Sequence, residues 1–193
     1  IVKGLLPLAN HAQILVVDDE PTSLLVMTEA LGDLGEVIGC ASGVEALGVA
    51  FSFRPDIILL DIEMPNMNGF EVCKAIKQNP LTALSIVIFV TSHNEQIFEY
   101  QSFENGGVDL IHKPVDLNLC RLRIVNHLKM KQQEAQISTA KDDVAALIAQ
   151  VPVFISYWSV QELNLFNNDM TCQWFAVSGN EMIGHRAKDI LPD

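Results

Sequence analysis

The chain has 193 residues, 49% of them hydrophobic and 19% charged, with a formal net charge of −12. That is a globular balance, with room for one full domain and part of another. The acidic excess argues against direct nucleic-acid binding, which needs clustered Lys and Arg, and no apolar run approaches the ~20 residues of a bilayer span.

The chain begins with Ile1 rather than Met and is expected to be a piece of a longer protein. Ile1–Asn10 has one Lys and no apolar core of the kind a signal peptide carries. Gln13–Val17 is a short apolar run ending in Asp18-Asp19. Pro21–Leu34 carries Leu24, Met27, Leu31 and Leu34 at helical spacing, with Pro21 suited to a first turn. Glu36–Cys40 reads as a weak strand and Gly43–Phe53 as a short helix. Ile57–Leu60 is apolar throughout, the signature of a strand buried on both faces. It delivers Asp61 at its C-terminal end, before the tight turn Glu63-Met64-Pro65-Asn66-Met67-Asn68-Gly69. Phe70–Gln78 is helical and stops near Asn79-Pro80. Ser85–Val90 is strongly β-type and ends in Thr91-Ser92. Asn94–Glu104 is helical up to Gly106-Gly107, and Val108–Ile111 is the last strand, before Lys113-Pro114. Strands and helices in strict alternation imply an α/β fold with a parallel sheet covered on both faces.

From Asp116 a helical pattern runs without Pro or Gly to about Gln150. At 1.5 Å per residue such a helix is ~50 Å long, too long for one small domain. Ile137, Ala140, Val144, Leu147 and Val151 repeat at three and four. That seam favours a two-stranded coiled coil joining two copies of the chain over a helix lying on its own domain. Residues 131–150 are therefore expected to form a linker and to make a homodimer. After Pro152 the composition turns aromatic and β-type through Val153–Trp158, and Leu163–Phe175 looks helical late on. Cys40, Cys73, Cys120 and Cys172 are scattered without CxxC spacing, so reduced thiols in a cytoplasmic protein are expected.

Parallel strands separated by helices put their C-terminal ends at one edge of the sheet, where α/β proteins bind ligands. Asp18, Asp19, Asp61, Thr91 and Lys113 each end or follow an apolar run, so they converge there. Clustered carboxylates repel unless a cation sits among them, and hard oxygen donors with open positions suit Mg²⁺. Lys113 adds a mobile point charge and Thr91 a hydroxyl donor. Together these groups describe a phosphoryl acceptor: Asp61 attacks in line while cationic groups neutralise the phosphoryl oxygens. His93 and His112 lie near the rim without ligand-like spacing and read as surface or access residues.

Val16-Val17-Asp18-Asp19-Glu20-Pro21, Leu60-Asp61-Ile62-Glu63-Met64-Pro65, Val90-Thr91-Ser92 and Lys113-Pro114 stand in this order, with Met67-Asn68-Gly69 between. Over residues 12–130 the chain thereby resembles the CheY-like receiver domain of bacterial two-component response regulators. The resemblance implies a doubly wound, flavodoxin-like sheet of five parallel strands in the order 2-1-3-4-5, an order the general rule for such folds illustrates with a receiver protein. It implies that Asp61 accepts the phosphoryl group from a phosphohistidine on a sensor histidine kinase or phosphotransfer protein. It implies that Asp19, Asp61 and the backbone carbonyl of Glu63 bind Mg²⁺, that Asp18 acts mainly through water, and that Thr91 and Lys113 grip the phosphoryl oxygens. A cis peptide at Lys113-Pro114 is expected on the same ground. The positions of Glu63 and His93 tend to tune phosphoryl lifetime in the family. Receivers usually carry a switching aromatic three residues before the Lys; here that residue is Leu110, so either Leu110 repacks in its place or Phe98, Tyr100 or Phe103 takes over.

Residues 151–193 resemble the start of a PAS domain, with Phe166-Asn167-Asn168 before a helix and Met182-Ile183-Gly184 before the next. A generic α+β segment is the plainer reading. The expected function is a phosphoacceptor module that signals through the linker helix to later domains. The alternatives weighed are a receiver that keeps the fold without being phosphorylated, and a regulatory piece of a signalling enzyme, such as a diguanylate cyclase, phosphodiesterase or kinase, whose catalytic part lies beyond residue 193. No Gly-rich nucleotide loop is present to support catalysis within these residues. A haloacid-dehalogenase-like phosphatase would want Asp-x-Asp where Asp61-Ile62-Glu63 stands.

Overall fold

The structure, a computed structural model, describes residues 12–93, 96–175 and 179–190. The expectations for Ile1–Asn10 and for a helix start at Asn94 lie outside the described residues. The chain divides into two compact units, one through Gln132 and one from Gln133.

The first unit alternates strand and helix: β1 (Ala12–Val17), α1 (Pro21–Leu31), β2 (Gly35–Cys40), α2 (Gly43–Phe53), β3 (Ile57–Asp61), α3 (Gly69–Gln78), β4 (Ile86–Thr91), α4 (Gln96–Glu104), β5 (Asp109–His112) and the start of α5 (Leu117–Gln150). The strands form one parallel sheet in the order β2-β1-β3-β4-β5. The expected doubly wound topology is therefore present.

Period-two alternation divides the apolar strands between two cores. Ile58, Leu60, Val87 and Phe89 face Ala46 and Ala50 of α2 and Val72 and Ile76 of α3. Ile57, Leu59, Ile88 and Val90 face Met27 and Leu31 of α1 and Cys120 and Ile124 of α5. Burying one such large aliphatic or aromatic side chain contributes roughly 1.5–3 kcal/mol, so the sheet is the main source of stability in this unit.

Local chemistry fixes the ends of the helices. In α2, the Ser42 hydroxyl accepts from the Glu45 N–H at 3.3 Å, and Arg54 closes the helix in the left-handed region with φ 53. In α3, Asn68 and Glu71 form a reciprocal capping box, with bonds of 3.0 and 2.9 Å. Helix α1 ends at Leu31, three residues before the expected Leu34, because the chain turns at Gly32. Leu34 is buried all the same, its N–H bonded to the Leu31 carbonyl at 2.8 Å. Cys40, Cys73 and Cys120 are buried free thiols, and Cys172 is free and half-buried.

The second unit holds the remainder of α5, then β6 (Ser156–Trp158), β7 (Asn164–Asn167), α6 (Asp169–Phe175), α7 (Gly179–Met182) and α8 (Ala187–Ile190). β6 and β7 pair antiparallel. Asn164–Asn167 is thus a strand at the start of a stretch whose helical character comes only after Asn168. Asn168 is buried and joins three segments. Its Oδ1 accepts from the N–H groups of Ile155 at 3.1 Å and Thr171 at 3.2 Å, and from the Thr171 hydroxyl at 2.9 Å. Its Nδ2 donates to the carbonyls of Val153, Val151 and Ile148. Along the second half of α5, Ile137, Val144 and Leu147 are exposed. Among the described residues, no helix is long and apolar enough to cross a membrane.

Candidate functional site

The register of the sheet sets the site. Val17 pairs with Leu60, Asp61 with Val90, and Thr91 with His112. Asp18-Asp19 after β1, Asp61 ending β3, Thr91 ending β4 and Lys113 after β5 therefore share the C-terminal edge. The turn after β3 keeps this edge tight. A Cβ on Gly69 would stand 2.3 Å from the Asp61 carbonyl oxygen, so only glycine lets α3 begin there.

Asp18 and Asp61 are 0% and 3% exposed, which makes their bonding decisive for two carboxylates. Lys113 Nζ lies 2.6 Å from Asp61 Oδ2 and 2.9 Å from Asp18 Oδ2. Asp18 also accepts from the Glu20 N–H at 2.9 Å and the Ser23 hydroxyl at 2.7 Å. Asp61 Oδ1 accepts from the Glu63 N–H at 3.2 Å. Thr91 is buried; its Oγ1 accepts from the His93 N–H at 3.0 Å and its carbonyl from the Lys113 N–H at 2.8 Å. The Lys113-Pro114 peptide is cis.

Burial pushes the Asp61 carboxyl above its ordinary value, and the bond from Lys113 offsets this only in part. Burial works the other way on Lys113, but hydrogen bonds to Asp61 and Asp18 outweigh it and hold the ammonium above its ordinary value. The structure thus shows one firmly charged lysine among three acids.

Asp18, Asp19 and Asp61 each offer a carboxylate oxygen, and the three lie within 4.8 Å of one another. Asp19 is exposed, so the cluster opens to water on one side. Hard oxygens, few protein ligands and an open side fit Mg²⁺, which keeps several waters. The Glu63 side chain is not in this cluster; it turns to His93, whose Nε2 lies 2.7 Å from its Oε1.

That pair is what sequence reading missed. Glu63 and His93 are thirty residues apart, and only the adjacency of β3 and β4 brings them together. The His93 ring also stacks on Phe98 at 4.1 Å, and its carbonyl accepts from His112 Nδ1 at 3.0 Å. A cleft of about 530 Å³ opens beside the acids, lined by Asp19, Glu63, Met64, Phe70, His93 and Phe98 among others. Leu110 is buried with Phe89 in the core, while Tyr100 and Phe103 are exposed.

Comparison with known proteins agrees with this geometry. The sequence pattern of the response regulator receiver domain matches residues 14–125. A probable cyclic di-GMP phosphodiesterase of Vibrio cholerae is 38% identical over 125 residues, covering 65% of this chain and 28% of that protein. The response regulator PleD of Caulobacter vibrioides is 36% identical over 132 residues, covering 64% of this chain and 29% of that one. The chain thus spans under a third of the length of these relatives. The solved structure of chemotaxis protein CheY4 of Vibrio cholerae superposes with a TM-score of 0.56 at 29% identity, covering 60% of this chain and 98% of that one. The match to more than half of the chain, over the residues that build the sheet and its acidic edge, shows that this protein belongs to the response regulator receiver family.

Proposed function

We propose that the chain is the phosphoacceptor module of a two-component system, with Asp61 as the acceptor. The observation that carries this reading is a buried carboxylate at the end of the central strand, bonded to Lys113 Nζ at 2.6 Å within a cluster of three acids. An oxygen of Asp61 attacks the phosphorus of a phosphohistidine on a sensor kinase or phosphotransfer protein. The P–N bond breaks as the P–O bond forms, and the imidazole leaves with the electron pair and takes up a proton. Lys113 passes from the carboxylate to the phosphoryl oxygens, and the Thr91 hydroxyl donates to another. Asp18 (mainly through water), Asp19, Asp61 and the Glu63 carbonyl would hold Mg²⁺. Bound there, the ion supplies positive charge against the phosphoryl oxygens.

Loading shifts the receiver between two states, which takes differential stabilisation on the order of a few kcal/mol. Residues 12–130 form the receiver, 131–150 the linker and 151–193 a PAS-like region of a cytoplasmic protein. The exposed Ile137, Val144 and Leu147 support dimerisation through α5. The β6–β7 hairpin followed by a helix capped by Asn168 supports the PAS-like reading. A second reading, a regulatory piece of a signalling enzyme acting on a cyclic dinucleotide, is favoured by the name of the Vibrio cholerae relative.

The test is intact-mass analysis after incubation with acetyl phosphate and Mg²⁺. One added phosphoryl group is expected, absent in Asp61→Asn and absent with EDTA. Stoichiometric labelling of Asp61→Asn would sink the assignment, and no labelling of the native chain by any donor would leave a receiver that only binds partners.

A further inference from the structure

His93 joins more of the site than a rim residue needs to. Its N–H donates to Thr91 Oγ1 at 3.0 Å, on its own strand's end. Its Nε2 reaches Glu63 Oε1 at 2.7 Å, two residues beyond Asp61. Its carbonyl accepts from His112 Nδ1 at 3.0 Å, the residue before Lys113. Its ring lies parallel to Phe98 of α4, with 1° between planes and 4.1 Å between centroids. One residue therefore touches the ends of β3, β4 and β5 and the helix that follows β4.

Among the described side chains of α4 only Ser102 is buried, and Phe98 is half-buried against the core. Tyr100 and Phe103 face water. The stack on His93 is thus a second contact of Phe98 beside its packing on the core.

We infer that His93 is a positioning residue, a clasp that holds Thr91 and α4 in the unloaded state and opens when the pocket is loaded. The inference rests on the proposed acceptor role of Asp61 and on Thr91 donating to the phosphoryl group. Thr91 reaches a new partner by changing its staggered χ1 well, which carries Oγ1 away from the His93 N–H. His93 then loses its N–H bond and is anchored through its carbonyl alone, so its alignment with Glu63 and Phe98 loosens. Both members of the Glu63–His93 pair are partly open to water, so the pair is weak enough to open and close readily. The signal leaves the pocket through Phe98 and α4.

The test is hydrogen exchange followed by mass spectrometry on the full chain, with and without beryllium trifluoride and Mg²⁺, for the native protein and His93→Ala. In the native protein, loading is expected to speed exchange in α4 about fivefold, the effect of losing one ordinary hydrogen bond. In His93→Ala, α4 exchanges that fast before loading, and loading adds little, while β1 and β3 stay protected. The idea is overturned if α4 exchanges at the native rate in unloaded His93→Ala, if loading has its full effect there, or if α4 and the core strands speed up together. Failure to take up beryllium trifluoride would count against Asp61 as acceptor, while the unloaded comparison still decides the clasp.

Discussion

Among the described residues, the two units bury different kinds of side chain. In the first, Ile57, Ile58, Leu59 and Leu60 are fully buried and the sheet is packed on both faces by aliphatic side chains. In the second, the buried residues among those described are Asn164, Asn168, Thr171 and Met182; Asn164 bonds to Asn167, and Asn168 to Thr171. Apolar burial is non-directional, so what a truncation costs follows the volume removed. A buried polar network is not tolerant, because each orphaned partner bears the full cost of desolvation. The receiver sheet should therefore answer most to lost apolar volume, and the second unit to a lost hydrogen-bond partner.

The largest expected effect tests the first half of that contrast. Phe89→Ala empties the space beside Phe70 and Gly107, and should cost the receiver about 3–5 kcal/mol. Urea titration read separately for the two units should show the loss in the first. An equal loss in both would mean that they do not unfold independently.

Asn168→Ala tests the other half. It strands the N–H of Ile155 and the carbonyl of Val153, while the Thr171 N–H keeps its bond to the Asn168 carbonyl and the Val151 carbonyl its bond from the Val153 N–H. A cost of about 2–3 kcal/mol is expected, two orphaned groups' worth, confined to the second unit. Asn168→Asp keeps the acceptor oxygen but loses the amide donor, and should recover only part of it.

The smallest effect lies on the receiver surface. The Arg121 guanidinium holds the Asp33 carboxyl below its ordinary value of 3.8, first through their hydrogen bond and then through charge. A lowered folded value means the contribution is present above pH 3.8 and fades as the pH falls below it. Asp33 is largely exposed, so the contribution stays under about 0.5 kcal/mol after screening. The native protein and Asp33→Asn should differ slightly at neutral pH and converge as the pH falls through the lowered value of the folded Asp33 carboxyl. A difference that grows in acid would contradict the sign.

Legibility in the sequence follows the same divide. Ile57–Leu60 and Ser85–Val90 announce themselves because a strand buried on both faces must be apolar throughout, and each ends at a residue of the acidic edge. The early stop of α1 was hidden because Leu34 keeps the apolar spacing of the helix although it is reached through a turn. The strand Asn164–Asn167 was hidden because its pairing with Ser156–Trp158 is not written in its own residues. Asn168 could be named as a helix cap from its position, but not as a buried hub serving the carbonyls behind it. The clasp at His93 was invisible for the same reason: Glu63 and Phe98 meet it only through the adjacency of β3, β4 and α4.

The central claim is that Asp61, and no other acid of the cluster, takes the phosphoryl group. The direct test is to load the full chain with acetyl phosphate and Mg²⁺, reduce it with borohydride, and map the peptides by mass. Reduction converts an aspartyl phosphate to homoserine. The account predicts homoserine at position 61 and intact Asp18 and Asp19. Homoserine at either of those positions, or none despite a stable gain of one phosphoryl mass, would contradict it.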